Sequence, residues 1–137
     1  MKGTMKAVVK MKPEKGVSII DVPIPELDDH DVLIKVECSA ICGTDIHFYK
    51  WESSSVSLEP NMKFPFVMGH EFGGTVVAVG DKVSKNRIGQ RVTCDGHSYC
   101  GECYMCKTGN QHVCLNMGSF KKYSGCFAEY KSTRENQ

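Results

Sequence analysis

Four cysteines, Cys100, Cys103, Cys106 and Cys114, stand as C-x2-C-x2-C-x7-C within YCGECYMCKTGNQHVC. Thiolates are soft ligands, and four around one ion close a tetrahedral shell with Zn–S bonds of about 2.3 Å. Two-residue gaps let neighbouring cysteines turn toward one centre. Gly101 and the Lys107–Thr108–Gly109–Asn110 turn supply the backbone freedom that wrapping needs. Such a shell has no open position, so it holds structure and does no chemistry. Spacing favours zinc, with an iron–sulfur cluster and two disulfides as the alternatives. Disulfides fit poorly. No charged-then-apolar leader opens the sequence, and a reducing, cytoplasmic setting is expected.

A second set is Cys42 with His70 and Glu71, each in a glycine-marked turn, ICGTD and MGHEF. A thiolate, an imidazole and a carboxylate form the mixed set that holds catalytic zinc with one position open. Because 28 positions separate Cys42 from His70, the pair taken alone reads more simply as a buried cysteine and a satisfied loop histidine. Beside the four-cysteine cluster, the balance moves toward ligation.

The elements around these residues are short strands. Met5, Ala7, Val9 and Met11 share one parity, as do Val32, Ile34, Val36 and Cys38, which is the period of a half-buried strand. Val17–Val22, Thr75–Val79, Arg91–Cys94 and Cys126–Lys131 also read as strands, with Pro23 and Pro25 ending the second or placing it at an edge. Only Asp45–Trp51 reads as a helix. Residues 52–65 form a loop closed by Pro60 and Pro65, and 95–124 an irregular lobe around the cysteines. This pattern predicts a mainly β, barrel-like fold.

With 137 residues the chain can form one domain with a real core. Its net charge is +1, from 17 basic and 16 acidic residues. Lys2, Lys6, Lys10, Lys12 and Lys15 are dispersed, which fits a solvated strand face and not a nucleic-acid surface. No apolar run approaches the roughly 20 residues of a membrane span. Cys38, Cys94 and Cys126 read as small buried strand residues. His30 reads as an exposed turn, and His112 as a lobe residue outside the filled shell. Gly73, Gly74 and Gly80 do not form G-x-G-x-x-G and report turns and strand packing.

ICGTDIH, GHEFGGTVVAVG and the four-cysteine lobe follow one another in this order within a stretch from about Met5 to Tyr130. In this the chain resembles the N-terminal GroES-like catalytic domain of the zinc-containing medium-chain alcohol dehydrogenases. ICGTDIHFYKW, DGH, NQHVC and SGCFAEY resemble the branch that oxidises L-threonine at its 3-hydroxyl, with sorbitol and butanediol dehydrogenases as close competitors. The resemblance implies a partly open β-barrel with an irregular zinc-binding lobe at about 95–120. It implies that Cys42, His70 and Glu71 ligate catalytic zinc, with Glu71 the most exchangeable. It gives Asp45 the orienting of the ligating histidine, Thr44 and His47 a proton relay, and His97 a place near the substrate pocket. A capping role for Thr44 and Asp45 is the competing reading. NAD or NADP, a small-molecule alcohol substrate and a homo-oligomeric parent are implied as well.

Sequence and family also differ. No dinucleotide fingerprint is found, so residues 1–137 are expected to be the N-terminal part of the catalytic domain, with the nucleotide-binding domain absent and no alcohol oxidation by this piece alone. Gly89–Gln90–Arg91 has Gln90 where the family usually carries an acid. A zinc-stabilised β-module without catalysis, such as an interaction domain, is the alternative function.

Overall fold

A computed structural model describes residues 2–52, 63–94, 99–116 and 125–137. Among the described residues, seven strands carry the fold: β1 (Thr4–Lys10), β2 (Ser18–Pro23), β3 (Asp31–Ala40), β4 (Phe66–Val67), β5 (Glu71–Val79), β6 (Arg91–Thr93) and β7 (Tyr130–Arg134). They form two antiparallel sheets, ordered β2-β1-β4 and β6-β5-β3-β7. One helix of two turns, α1 (Gly43–Lys50), follows β3 directly. A single-turn helix, Tyr104–Lys107, lies in the cysteine lobe.

The alternation read in the sequence builds both cores. Met5, Ala7 and Val9 of β1 pack with Val22 and Val67. Val32 and Ile34 pack with Phe72, Val76, Val83 and Cys126. The segment before β7 joins the sheets. Ala128 bridges Ala7, and the Phe127 carbonyl accepts from Val8 N at 2.8 Å. Across this seam the Glu129 carbonyl accepts from Val36 N at 2.9 Å. The sheets therefore curl against each other without closing into one barrel.

Four expectations need correction. The helix begins at Gly43, two residues before Asp45, and Trp51 lies beyond its end. The last strand starts at Tyr130, because Cys126–Ala128 bonds across the seam and not along one ladder. Cys38 is exposed. Ladder irregularities at Leu33/Ile34 and Val36/Cys38 break the two-residue period of β3, and a bulge re-aims the side chains beyond it. Lys10 is fully buried, against the solvated face predicted for it. Its Nζ donates to the carbonyls of Glu14, Gly16 and Tyr49 and lies 5.1 Å from the Trp51 ring centroid. These carbonyls belong to a loop and to a helix end, where the backbone leaves acceptor capacity unfilled, and a flexible ammonium supplies donors to it. Burial pulls the Lys10 pKa below its usual value, while Glu14 pushes it back up.

Gln90, the departure from the family pattern, makes a local contact. Its amide oxygen accepts from Arg87 Nη1 at 3.1 Å. No helix of the described residues is long and apolar enough to cross a membrane, which says nothing of strands.

Candidate active site

Strand register solves the separation of Cys42 from His70. Ala40 of β3 pairs with Glu71 of β5, and Ser39 with Phe72. Two residues past Ala40 lies Cys42, and one residue before Glu71 lies His70. The pairing therefore makes spatial neighbours of residues far apart in sequence. Cys42 Sγ and one ligand atom each from His70 and Glu71 all lie within 4.8 Å of one another. Cys42 and His70 are half-buried and Glu71 is exposed. The preceding Gly69 has φ +88°, and a Cβ there would come within 2.5 Å of the Phe127 ring and 2.8 Å of Cys126 Sγ. Only glycine fits the turn that presents His70.

Helix α1 starts from this centre. Cys42 is its N-cap, and Asp45 Oδ2 accepts the Cys42 N–H at 2.9 Å. Asp45 Oδ1 faces His70 Nδ1 at 3.8 Å, and the carboxylate is buried. Asp45 thus combines the capping role with a place behind His70. Thr44 Oγ1 is 3.9 Å from Cys42 Sγ. His47 follows three residues on, on the same helical side, half-exposed with Nδ1 at 2.7 Å from Glu52 Oε2. His97 lies outside the described residues.

The lobe brings its four sulfurs together. Cys103 and Cys106 are 3.5 Å apart, Cys100 and Cys114 3.6 Å, Cys100 and Cys106 3.9 Å, and Cys103 and Cys114 3.9 Å. A tetrahedral shell with bonds of about 2.3 Å sets sulfurs about 3.8 Å apart, against about 2.05 Å in a disulfide. All eight cysteines are free. Backbone N–H groups point at the sulfurs, from Cys103 to Cys100 at 3.4 Å and from Asn116 to Cys114 at 3.3 Å. Amides at Glu102 and Cys103 bring the Cys100 pKa down to about 6. Amides at Cys106 and Leu115 lower that of Cys103. Burial, helped by the Cys103 thiol, pushes Cys106 up to about 12. Four converging sulfurs with aimed amides suit one soft divalent ion.

The profile of the alcohol dehydrogenase GroES-like domain matches residues 28–137. The chain belongs to that family. It is 46% identical over 129 residues to L-threonine 3-dehydrogenase of Bacillus subtilis, covering 93% of this chain and 36% of the relative. It is 47% identical over 127 residues to L-threonine 3-dehydrogenase of Photorhabdus laumondii, covering 92% and 36%. A short chain alcohol dehydrogenase from E. coli CFT073, solved with NADH, superposes with a TM-score of 0.78 at 34% identity, covering 98% of this chain and 37% of that one. A putative zinc-binding dehydrogenase from Sinorhizobium meliloti bound to NADP gives 0.77 at 35%, with the same coverage. The chain thus spans just over a third of the length of these relatives. The GroES-like assignment and the mainly β fold expected from the motifs agree with these matches.

Two side chains at this end of the molecule carried no usable signal in the sequence. Glu52 had no signal, because the turn that brings it to His47 follows no periodic pattern. Lys10 had a misleading one, since it sits among exposed lysines.

Proposed function

We propose that this chain is the N-terminal catalytic-domain part of a zinc-dependent NAD(P) dehydrogenase that oxidises a secondary alcohol, with L-threonine at its 3-hydroxyl as substrate. The convergence of Cys42, His70 and Glu71 carries the reading, since a purely structural module has no use for an open S/N/O set. Sequence identity to two L-threonine 3-dehydrogenases supports the substrate. The residues 95–120 lobe, with Cys100, Cys103, Cys106 and Cys114, would hold a structural zinc. Cytoplasmic placement and a homo-oligomeric parent belong to the same reading.

Zinc held by Cys42, His70 and Glu71 would supply Lewis-acid polarisation of the substrate hydroxyl. Glu71, exposed at the rim, is the ligand that can give way. Asp45 orients the His70 ring from behind. Thr44 accepts the hydroxyl proton and donates its own onward. His47 takes that proton and delivers it to water, being half-exposed. His97 would line the substrate pocket. The nicotinamide would be bound by a nucleotide-binding domain that follows this part in the parent, because hydride transfer needs reacting atoms held about 3–3.5 Å apart.

The test assays the complete reading frame that encodes the chain, with L-threonine, sorbitol and 2,3-butanediol and with NAD and NADP. Turnover fastest on L-threonine is expected, abolished in Cys42→Ser. Fastest turnover on sorbitol would move the chain to the polyol enzymes with the same mechanism. No turnover on any of the three by a zinc-loaded protein overturns the reading, as does turnover by the 137-residue chain alone.

A further inference from the structure

Trp51 is the one non-glycine residue with positive φ among the described residues, at φ 58° and ψ 54°. A bulky side chain in the left-handed region costs on the order of 1–3 kcal/mol and persists where its surroundings hold it. Here they do. Trp51 N donates to the His47 carbonyl at 2.8 Å. The ring lies against Lys10 Nζ, and Phe64 packs on it edge-on at 5.5 Å between centroids. Lys10 is tied in turn to Tyr49 at the end of α1 and to the β1–β2 loop. Gly16 N adds a bond to the Tyr49 carbonyl at 2.8 Å.

The left-handed residue reverses the chain, and Glu52 returns along the helix. Glu52 N approaches the His47 carbonyl at 3.4 Å, and Glu52 Oε2 stands 2.7 Å from His47 Nδ1. Lys50 Nζ sits 3.4 Å from the other oxygen. Its bond to His47 holds the Glu52 carboxyl below the ordinary range, so it is ionised at neutral pH. An ionised carboxylate only accepts, so Nδ1 must donate. In a neutral imidazole the other nitrogen is then bare.

We propose that Glu52, set by the Trp51 turn, is a positioning residue that fixes His47 as the Nδ1–H tautomer and leaves Nε2 as the acceptor for the outgoing proton. This rests on the relay reading of His47. A proton taken at Nε2 makes an imidazolium whose charge faces the Glu52 carboxylate. Loss of one ring proton to water restores the neutral ring. Without Glu52 the ring would be free to turn or change tautomer, and its acceptor would not be held toward the relay.

Long-range ¹H–¹⁵N correlation of the histidine rings in the labelled 137-residue chain, recorded at alkaline pH, reads the tautomer directly. Signals of His47 are assigned by their loss in His47→Gln. Wild type should show the Nδ1–H pattern. Glu52→Ala should lose it for the Nε2–H form that free imidazole prefers. Glu52→Gln should keep it, since the amide oxygen still accepts. Nε2–H in the wild type, or Nδ1–H persisting in Glu52→Ala, overturns the proposal. Failure of the relay itself is separate: it would appear as undiminished turnover of His47→Ala in the full reading frame, whatever the tautomer.

Discussion

Asp45 serves Cys42 and His70 at once, one oxygen accepting the Cys42 N–H at 2.9 Å and the other facing His70 Nδ1 at 3.8 Å. Two substitutions separate these duties. Asp45→Ala removes both, and should cost about 0.5–2 kcal/mol in the metal-free chain from the lost cap. It should also weaken zinc at Cys42–His70–Glu71 about 10- to 100-fold. Asp45→Asn keeps an oxygen for the Cys42 N–H but loses the charge behind His70. It should be nearly as stable as wild type and still bind zinc more weakly. Denaturation and competitive zinc titration check both. Equal effects of the two variants on both quantities would show that the oxygens do not divide the work.

The thiols of the lobe should differ sharply when stripped of metal. Cys100, with its pKa near 6, is mostly thiolate at pH 7, whereas Cys106, near 12, remains protonated. Only the thiolate attacks an alkylating agent. Brief iodoacetamide treatment at pH 7 should therefore label Cys100 before Cys106, and labelling of Cys100 should fall as pH drops through 6. Mass spectrometry of the peptides reads the order. Cys106 labelled first would contradict it.

Metal binding should also organise the lobe. Structural zinc contributes apparent energies of about 10–16 kcal/mol in small zinc peptides. Cys103→Ser should raise hydrogen exchange across residues 99–116, while the β3–β5 ladder stays protected by its own apolar packing. Unchanged protection in the lobe would argue against a structural ion.

Lys10 offers a test of the buried cation. Lys10→Ala leaves a cavity and acceptors without donors, and should cost about 2–5 kcal/mol. Lys10→Met fills the space and loses only the bonds to Glu14, Gly16 and Tyr49. It should cost about 1–3 kcal/mol. Chemical denaturation compares them. Wild-type stability in Lys10→Met would show that these carbonyls need no ammonium.

Much of this architecture is legible in the sequence. Local alternation revealed β1, most of β3 and the core residues Val9 and Ile34, because one face of each strand must be apolar. The lobe was legible since its ligands lie within fifteen consecutive residues. Cys42 with His70 was harder. Their meeting depends on the Ala40–Glu71 register, a long-range pairing that no local pattern encodes; their residue types beside the four-cysteine lobe pointed toward ligation, and the family resemblance implied the full set. Phe66–Val67 was missed as a strand because two residues carry no period. Lys10 and Glu52 escaped for a shared reason. Both are placed by tertiary contacts around the end of α1, Lys10 by the carbonyls of Glu14, Gly16 and Tyr49 and Glu52 by the left-handed Trp51 turn, and no local pattern encodes these.

The most direct measurement is zinc content with X-ray absorption on the chain saturated with zinc, beside Cys42→Ser. Two ions per wild-type chain are expected, one among four sulfurs and one among sulfur, nitrogen and oxygen. Cys42→Ser should lose the second and leave a spectrum of sulfur alone at about 2.3 Å. A single all-sulfur zinc in the wild type, or two ions retained in Cys42→Ser, would contradict an open zinc centre at Cys42, His70 and Glu71.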